Sequence, residues 1–147
     1  MVEGVRTVSE FRKSISIRNN IRDLVIIGLS AADKIAVGSN SVPDINISQN
    51  PGPNNVPPSK VDWGNVKGGT HVWGCNAAHT PLNTSIAKKI ANASQRPVEA
   101  YSNYVTLGPN GPVTTGVRET LNGIARGFDF GGRVDVAPDR ISGIDRW

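Results

Sequence analysis

The segment from residue 70 to 101 has the order strand, helix, strand, and this order restricts the folds open to the chain. A short apolar stretch ends at Cys75, and a second strand is expected at residues 97–101. Between them, apolar residues recur at every fourth position, as on one face of a helix: Leu82, Ile86 and Ile90. Connections of this kind are right-handed and set the two strands parallel. The segment therefore predicts an α/β fold with a small, mainly parallel sheet and flanking helices.

Further strands and helices are expected upstream of this unit. Leu24–Ile27 is a continuous, mostly β-branched run closed by Gly28, which is typical of a strand buried on both faces. A short amphipathic helix is expected at residues 8–17. The main helix is expected to have Thr80 as its N-cap and Pro81 at its first position. The predicted strands lie near residues 23–28, 34–38, 70–75 and 97–101, and the predicted main helix lies near 81–93.

The remaining segments are expected to be less regular within one domain spanning residues 1–147. Residues 39–59 are rich in proline and asparagine and predict a long loop, with strand-like alternation only at 44–48. One more helix is predicted at residues 115–126. Residues 127–147 show no clear period and are expected to form an irregular tail.

Composition narrows the classes of function. The net charge is +4, and no run of five or more basic residues occurs. Nucleic-acid binding is therefore not expected, because it favours basic and aromatic residues gathered on one face. One cysteine excludes an intrachain disulfide. No apolar run approaches a membrane span, and the N-terminal residues lack the apolar core of a signal peptide. We expect a protein made in a reducing cytoplasm, with no cofactor.

The strand-to-helix turn after Gly74 presents Cys75 at the edge of the predicted sheet. A cysteine acts as a nucleophile only as the thiolate, which needs a nearby base, a cation or a helix N-terminus. His71 and His79 lie four residues on either side, but about 13 Å separates His71 from Cys75 along an extended strand. One cysteine and two histidines fall short of a zinc site, so no metal is expected. A small buried residue is the alternative interpretation of Cys75.

The residues around Cys75 also resemble a known family. Val72 to Ala78, followed by a helix with an alanine-rich face and the strand entry Arg96-Pro97-Val98, resembles a segment of caspase-fold cysteine peptidases. The similarity is closest to the domains attached to large bacterial toxins and repeat-containing effector proteins. Upstream, residues 22–28 resemble the strand that delivers the histidine of that family. The resemblance covers roughly Asp23 to Tyr104, and it implies a caspase-like three-layer arrangement.

The resemblance assigns roles to individual positions. Cys75 matches the position of the nucleophile, and Gly28 matches the glycine that precedes the catalytic histidine. The position of that histidine holds Leu29, followed by Ser30. The base of the family is therefore absent from its expected place.

Three hypotheses follow. The first is a cysteine peptidase or thiol hydrolase, in which His71 or His79 is a displaced base and backbone N–H groups of residues 74–76 bind the oxyanion. The second is a catalytically degenerate member of the same fold that binds a partner without cleaving it. The third is another hydrolytic activity, built on carboxylates that the sequence does not pair: Asp33, Asp44 and Asp62.

The carboxyl ends of parallel strands meet at one edge of a sheet, and ligands of such sheets bind there. We therefore expect the contact surface at that edge, with a protein or peptide as partner. Its expected members, besides Cys75, are Gly28, Leu29, Ser30, Gly74 and Asn76. The resemblance further implies a bacterial toxin- or effector-associated domain exported by a specialised system. The oligomeric state is left open.

Overall fold

The computed structural model describes residues 4–31, 33–36, 44–46, 56–79, 84–116 and 132–139, and within these it has a mixed α/β fold. Two α-helices are present in the described part, α1 (Val8–Ser16) and α2 (Ile86–Ser94). A 3-10 helix spans Pro58–Lys60. The strands are β1 (Leu24–Ile27), β2 (Ser30–Ala31), β3 (Lys34–Ala36), β4 (Asp44–Asn46), β5 (Thr70–Trp73), β6 (Val98–Tyr101), β7 (Tyr104–Gly108), β8 (Gly111–Gly116) and β9 (Arg133–Val136).

The main sheet has four strands in the order β1-β5-β6-β9. Strands β1, β5 and β6 run parallel, and β9 pairs antiparallel with β6. The prediction of a small, mainly parallel sheet is therefore confirmed. A second, antiparallel sheet has the order β2-β3-β4, and β7 and β8 form a hairpin.

Helix α1 forms where the sequence predicts an amphipathic helix. The Thr7 hydroxyl caps its N-terminus by accepting a hydrogen bond from the Glu10 amide at 3.0 Å. The residues at positions 8, 11 and 15 are buried, in keeping with the spacing of one helical face: Val8, Phe11 and Ile15.

Helix α2 begins later than expected. Its N-cap is Ser85, whose hydroxyl accepts from the Lys88 amide at 3.1 Å, so the predicted start at Thr80 and Pro81 is wrong for this helix. Residues 80–83 lie outside the described residues. Serine is among the preferred N-cap residues. With Ser85 as the N-cap, Ile86 is the first residue of the helix. The helix ends at Gln95, which has the left-handed conformation (φ 57°).

One core holds the sheet and both helices together. Alternate strand residues that share one face of the sheet are buried: Ile26, Val72, Val98 and Ala100. They belong to the same apolar cluster as the buried faces of α1 and α2. Burial of each valine or isoleucine among them contributes about 1.5–3 kcal/mol.

Strand β9 lies within residues 127–147, where an irregular tail was expected. It pairs with β6 over four residues, and the segment after it is attached to α2. Lys88 Nζ lies 2.7 Å from Asp139 Oδ1, and the Asp139 amide donates to Asn92 Oδ1 at 2.6 Å. The hydrogen bond from Lys88, together with that from Asn92, holds the pKa of Asp139 below its ordinary value of 3.8.

Two further predicted segments, residues 115–126 and 39–59, are described only in part. The predicted helix at 115–126 cannot begin at Thr115, because β8 continues to Gly116, and the rest of that range lies outside the described residues. The predicted loop at 39–59 contains β4, which pairs with β3. Neither of the two described helices is long and apolar enough to cross a membrane.

Candidate functional site

The parallel pairing of β1 and β5 brings the chain after each strand to the same edge. Ile27 pairs with Trp73, so Gly28 to Ser30 lie beside Gly74 and Cys75. The Ser30 hydroxyl donates to the Cys75 carbonyl at 2.8 Å. We call this region the carboxyl edge: residues 28–30 and 74–76.

The Cys75 sulfur is bonded to the backbone of Val105. The Val105 amide donates to Cys75 Sγ at 3.3 Å, and the thiol in turn lies 3.6 Å from the Val105 carbonyl oxygen. The cysteine is half-buried. A thiol can accept the hydrogen bond from the Val105 amide through its sulfur and donate its own proton to the Val105 carbonyl. The first residues of β7 therefore occupy the place that a base needs.

His71 takes part in a different set of contacts. Its Nδ1 lies 3.4 Å from Glu99 Oε2 on β6, and its Nε2 lies 3.9 Å from Asp23 Oδ1 before β1. Arg133 on β9 lies 3.9 Å from the same Glu99 oxygen. These four residues form a row across the sheet, in which the carboxylates alternate with the imidazole and the guanidinium. The row fixes the imidazole between carboxylates, four residues along the chain from Cys75.

His79 lies at the end of the turn that follows Cys75. Its side chain is exposed, and its amide donates to the Asn76 carbonyl at 3.0 Å. Neither histidine has a hydrogen bond or ion pair with Cys75 among the contacts of the described residues. The structure therefore does not bring the cysteine together with either candidate base.

The turn after Cys75 is held by its own backbone. Asn76 has a left-handed conformation (φ 55°), and its amide donates to the Asn103 carbonyl at 3.0 Å. The Ala87 amide, in the first turn of α2, donates to the Ala77 carbonyl at 3.0 Å. The helix N-terminus thus faces a carbonyl oxygen rather than the sulfur. The Asn76 amide, an expected oxyanion donor, already has a partner.

The β1 strand differs from its prediction. A strand buried on both faces was expected, but among the described strands β1 is the outermost of the main sheet, and its side chains opposite the core face are exposed: Val25 by 40%, Ile27 by 54%. Leu29, just beyond the strand, is 80% exposed. An apolar run cannot distinguish an edge strand from a central one, because strand order is set by the direction of the crossovers. The sequence therefore predicted that Leu29 lies at the carboxyl edge. It did not predict that one side of β1 exposes apolar side chains.

The three candidate aspartates lie on different segments of the chain. Asp33 lies in the turn before β3, and Asp44 opens β4. Asp62 lines a separate cavity of about 370 Å³ together with Trp63 and Arg96. In the part of the chain that the structure describes, no group of three or more histidine, cysteine, aspartate or glutamate side chains is arranged to hold a metal ion.

No protein-family model, curated protein or solved structure matches this chain.

Proposed function

We propose that this chain is a non-catalytic interaction module that binds a protein or peptide at the carboxyl edge. The observation that carries the proposal is the state of Cys75, whose sulfur is bonded to both backbone groups of Val105. A nucleophilic cysteine needs a base within hydrogen-bond reach. His71 is instead held by Glu99 and Asp23.

Leu29 is the centre of the proposed contact surface. Its side chain is 80% exposed, although it follows a strand of the main sheet. The neighbouring backbone is firmly placed, because the Ser30 hydroxyl bonds to the Cys75 carbonyl and Gly74 lies close to the Gly28 carbonyl. An exposed apolar side chain on a rigid turn loses little conformational entropy on binding, which favours an anchor role.

The resemblance to caspase-fold domains supplies the rest of the proposal. Attachment to bacterial toxin or effector proteins, export from the cytoplasm and a caspase-like three-layer arrangement rest on that resemblance. Leu29 stands where the family keeps its histidine, which is consistent with a degenerate member that retains the binding edge.

Iodoacetamide labelling tests whether Cys75 is a reactive nucleophile. We expect the folded protein to react at least about tenfold more slowly than an unstructured cysteine peptide, because the half-buried sulfur must first leave Val105. Intact-mass measurements from about pH 6 to 9 follow the reaction, and the urea-unfolded chain, which should react like the peptide, is the control. Labelling of the folded protein faster than the peptide near neutral pH would restore the peptidase hypothesis.

Replacing Leu29 with lysine tests the contact surface. Peptides are first selected on the folded chain from a random display library, and their affinities are measured by fluorescence polarisation. Leu29→Lys is expected to weaken the selected peptides by at least about tenfold, because truncating or charging a central apolar anchor removes most of its binding energy.

Leu107→Lys is the matched control for this experiment. Leu107 is also an exposed leucine, at 55%, but it lies on the β7–β8 hairpin. We expect it to change the affinities by less than about twofold. Equal losses in both variants, or cleavage of the peptides that depends on Cys75, would contradict the proposed function.

A further inference from the structure

The cavity beside Asp62 lies at the end of the main sheet opposite the carboxyl edge. Its walls come from residues 61–66, which precede β5, and from residues 93–96, which join α2 to β6. Strands β1, β5 and β6 run parallel, so the segments that lead into them gather at the amino ends of the strands. An inference about this cavity therefore does not depend on the function proposed for the carboxyl edge.

The wall formed by residues 61–66 is anchored in the core. Trp63 is buried, and its indole Nε1 donates to the Pro58 carbonyl at 2.8 Å. Val61 and Val66, on either side of it, belong to the same buried cluster. The cavity has a volume of about 370 Å³ and is therefore formed before any ligand arrives. Small-molecule sites in proteins are largely preformed cavities of about 300 Å³ or more.

Hydrogen-bond acceptors face this cavity from both walls. Asp62 Oδ1 accepts from the Gly64 amide at 3.0 Å, which orients the carboxylate, and no described residue bonds to Oδ2. On the other wall, Ala93 and Ser94 are the last two residues of α2. The Ala93 carbonyl lacks its usual helical donor, because Pro97 has no N–H. No described residue donates to either carbonyl. A carboxylate and the carbonyl end of a helix together attract a cation.

Arg96 supplies the opposite charge to the cavity. It is half-buried there, and within the described residues no hydrogen bond or ion pair engages its guanidinium. An arginine side chain is long enough to reach across a cavity of this size, and its forked guanidinium binds carboxylates through two hydrogen bonds. Arg96 and Asp62 do not pair with each other, so both charges are available to a ligand.

We propose that this cavity binds a small zwitterion of the chemical class of a free α-amino acid. The ammonium group of the ligand lies between Asp62 Oδ2 and the Ala93 and Ser94 carbonyls. Its carboxylate pairs with the Arg96 guanidinium. A simple anion such as phosphate suits the cavity less well, because Asp62 and the carbonyl end of α2 would repel it. A simple cation would leave the half-buried guanidinium unpaired.

NMR titration of the whole chain with each of the common free α-amino acids tests the site. We expect at least one of them to shift the Gly64 and Arg96 amide signals, with a dissociation constant of roughly 0.1 to 10 mM. The Gly64 amide reports the ammonium group, because it donates to Asp62 Oδ1. Sodium chloride at matched ionic strength is the control for screening.

Two analogues of the bound amino acid test the zwitterion. The amine that lacks its carboxylate and the acid that lacks its ammonium group should each bind at least about tenfold more weakly. The proposal would be overturned if no amino acid shifted the two amides at about 50 mM, or if either analogue bound as tightly as the amino acid.

Arg96→Gln and Asp62→Asn test the two charged contacts separately. Each should weaken the amino acid by at least about fivefold, and Asp62→Asn should leave the affinity of the ammonium-free acid unchanged. Arg12→Gln, at an exposed position on α1, is the control and should change the affinity by less than about twofold. Arg96 also follows the carbonyl end of α2, where a cation stabilises a helix. A lower urea midpoint of Arg96→Gln with unchanged affinity would show that role alone and overturn the proposal.

Discussion

Gly74→Ala is expected to lower the free energy of unfolding by about 2–3 kcal/mol, because the added methyl group has no room. A Cβ at this position would lie 2.6 Å from the Gly28 carbonyl oxygen and 3.0 Å from Ser30 Cβ. The Gly28 carbonyl oxygen belongs to the backbone just beyond β1. The clash with it can be relieved only if the ends of β1 and β5 move apart. The bond from Ser30 to the Cys75 carbonyl would then lengthen. Urea denaturation followed by tryptophan fluorescence measures the change.

Gly69→Ala is the matched control for this prediction. Gly69 precedes β5, and a Cβ there would meet its nearest atoms at 3.8 and 3.9 Å, which is ordinary contact. Its free energy of unfolding should stay within about 0.5 kcal/mol of the parent. If Gly74→Ala were as stable as Gly69→Ala, the close approach of the two strand ends would be wrong. The shared carboxyl edge would lose its physical basis.

Ile90→Ala is expected to cost about 3–4 kcal/mol of unfolding free energy, because it removes apolar atoms from a fully buried position and leaves a cavity. Ile90 lies in the middle of α2 and is 0% exposed. It is packed in the cluster that includes Val72 and Val98 of the sheet. Alanine has the higher helix propensity, so the loss reports the packing against the sheet and not the stability of the helix itself.

Ile17→Ala removes the same atoms from an exposed site. Ile17 is the C-cap of α1 and is 62% exposed, so its unfolding free energy should change by no more than about 0.5 kcal/mol. Urea denaturation gives a midpoint for each variant. The midpoints are compared when the unfolding free energy falls with urea concentration at the same slope in both. A small loss at Ile90 would contradict the placement of α2 on the sheet.

Local patterns in the sequence were sufficient to predict that two main elements, α2 and β1, exist. The four-residue spacing at Ile86 and Ile90 predicted α2, and the β-branched run before Gly28 predicted β1. The start of α2 was misplaced, because Thr80-Pro81 and Ser85 offer competing N-terminal signals. The helix begins after Ser85, where the cap hydrogen bond from the Lys88 amide and the burial of Ile86 occur together.

The candidate site depends on contacts between distant residues, and these are not encoded by spacing. Cys75 meets Val105, thirty residues later, because the β7 strand passes beside the turn after β5. His71 was considered as a base by its distance from Cys75 along the chain, but the register with β6 places it against Glu99. Sequence alone gives neither strand order nor register. The edge was therefore predicted, while the chemistry at that edge was not.

The position of β9 determines when the sheet is completed during synthesis. A chain emerges from the ribosome with its N-terminal part first. Strands β1, β5 and β6 are available once residue 101 has been made, but the partner of β6 on its other side begins only at Arg133. For the time needed to add about thirty residues, roughly a few seconds, β6 therefore lacks the strand that pairs with it on that side.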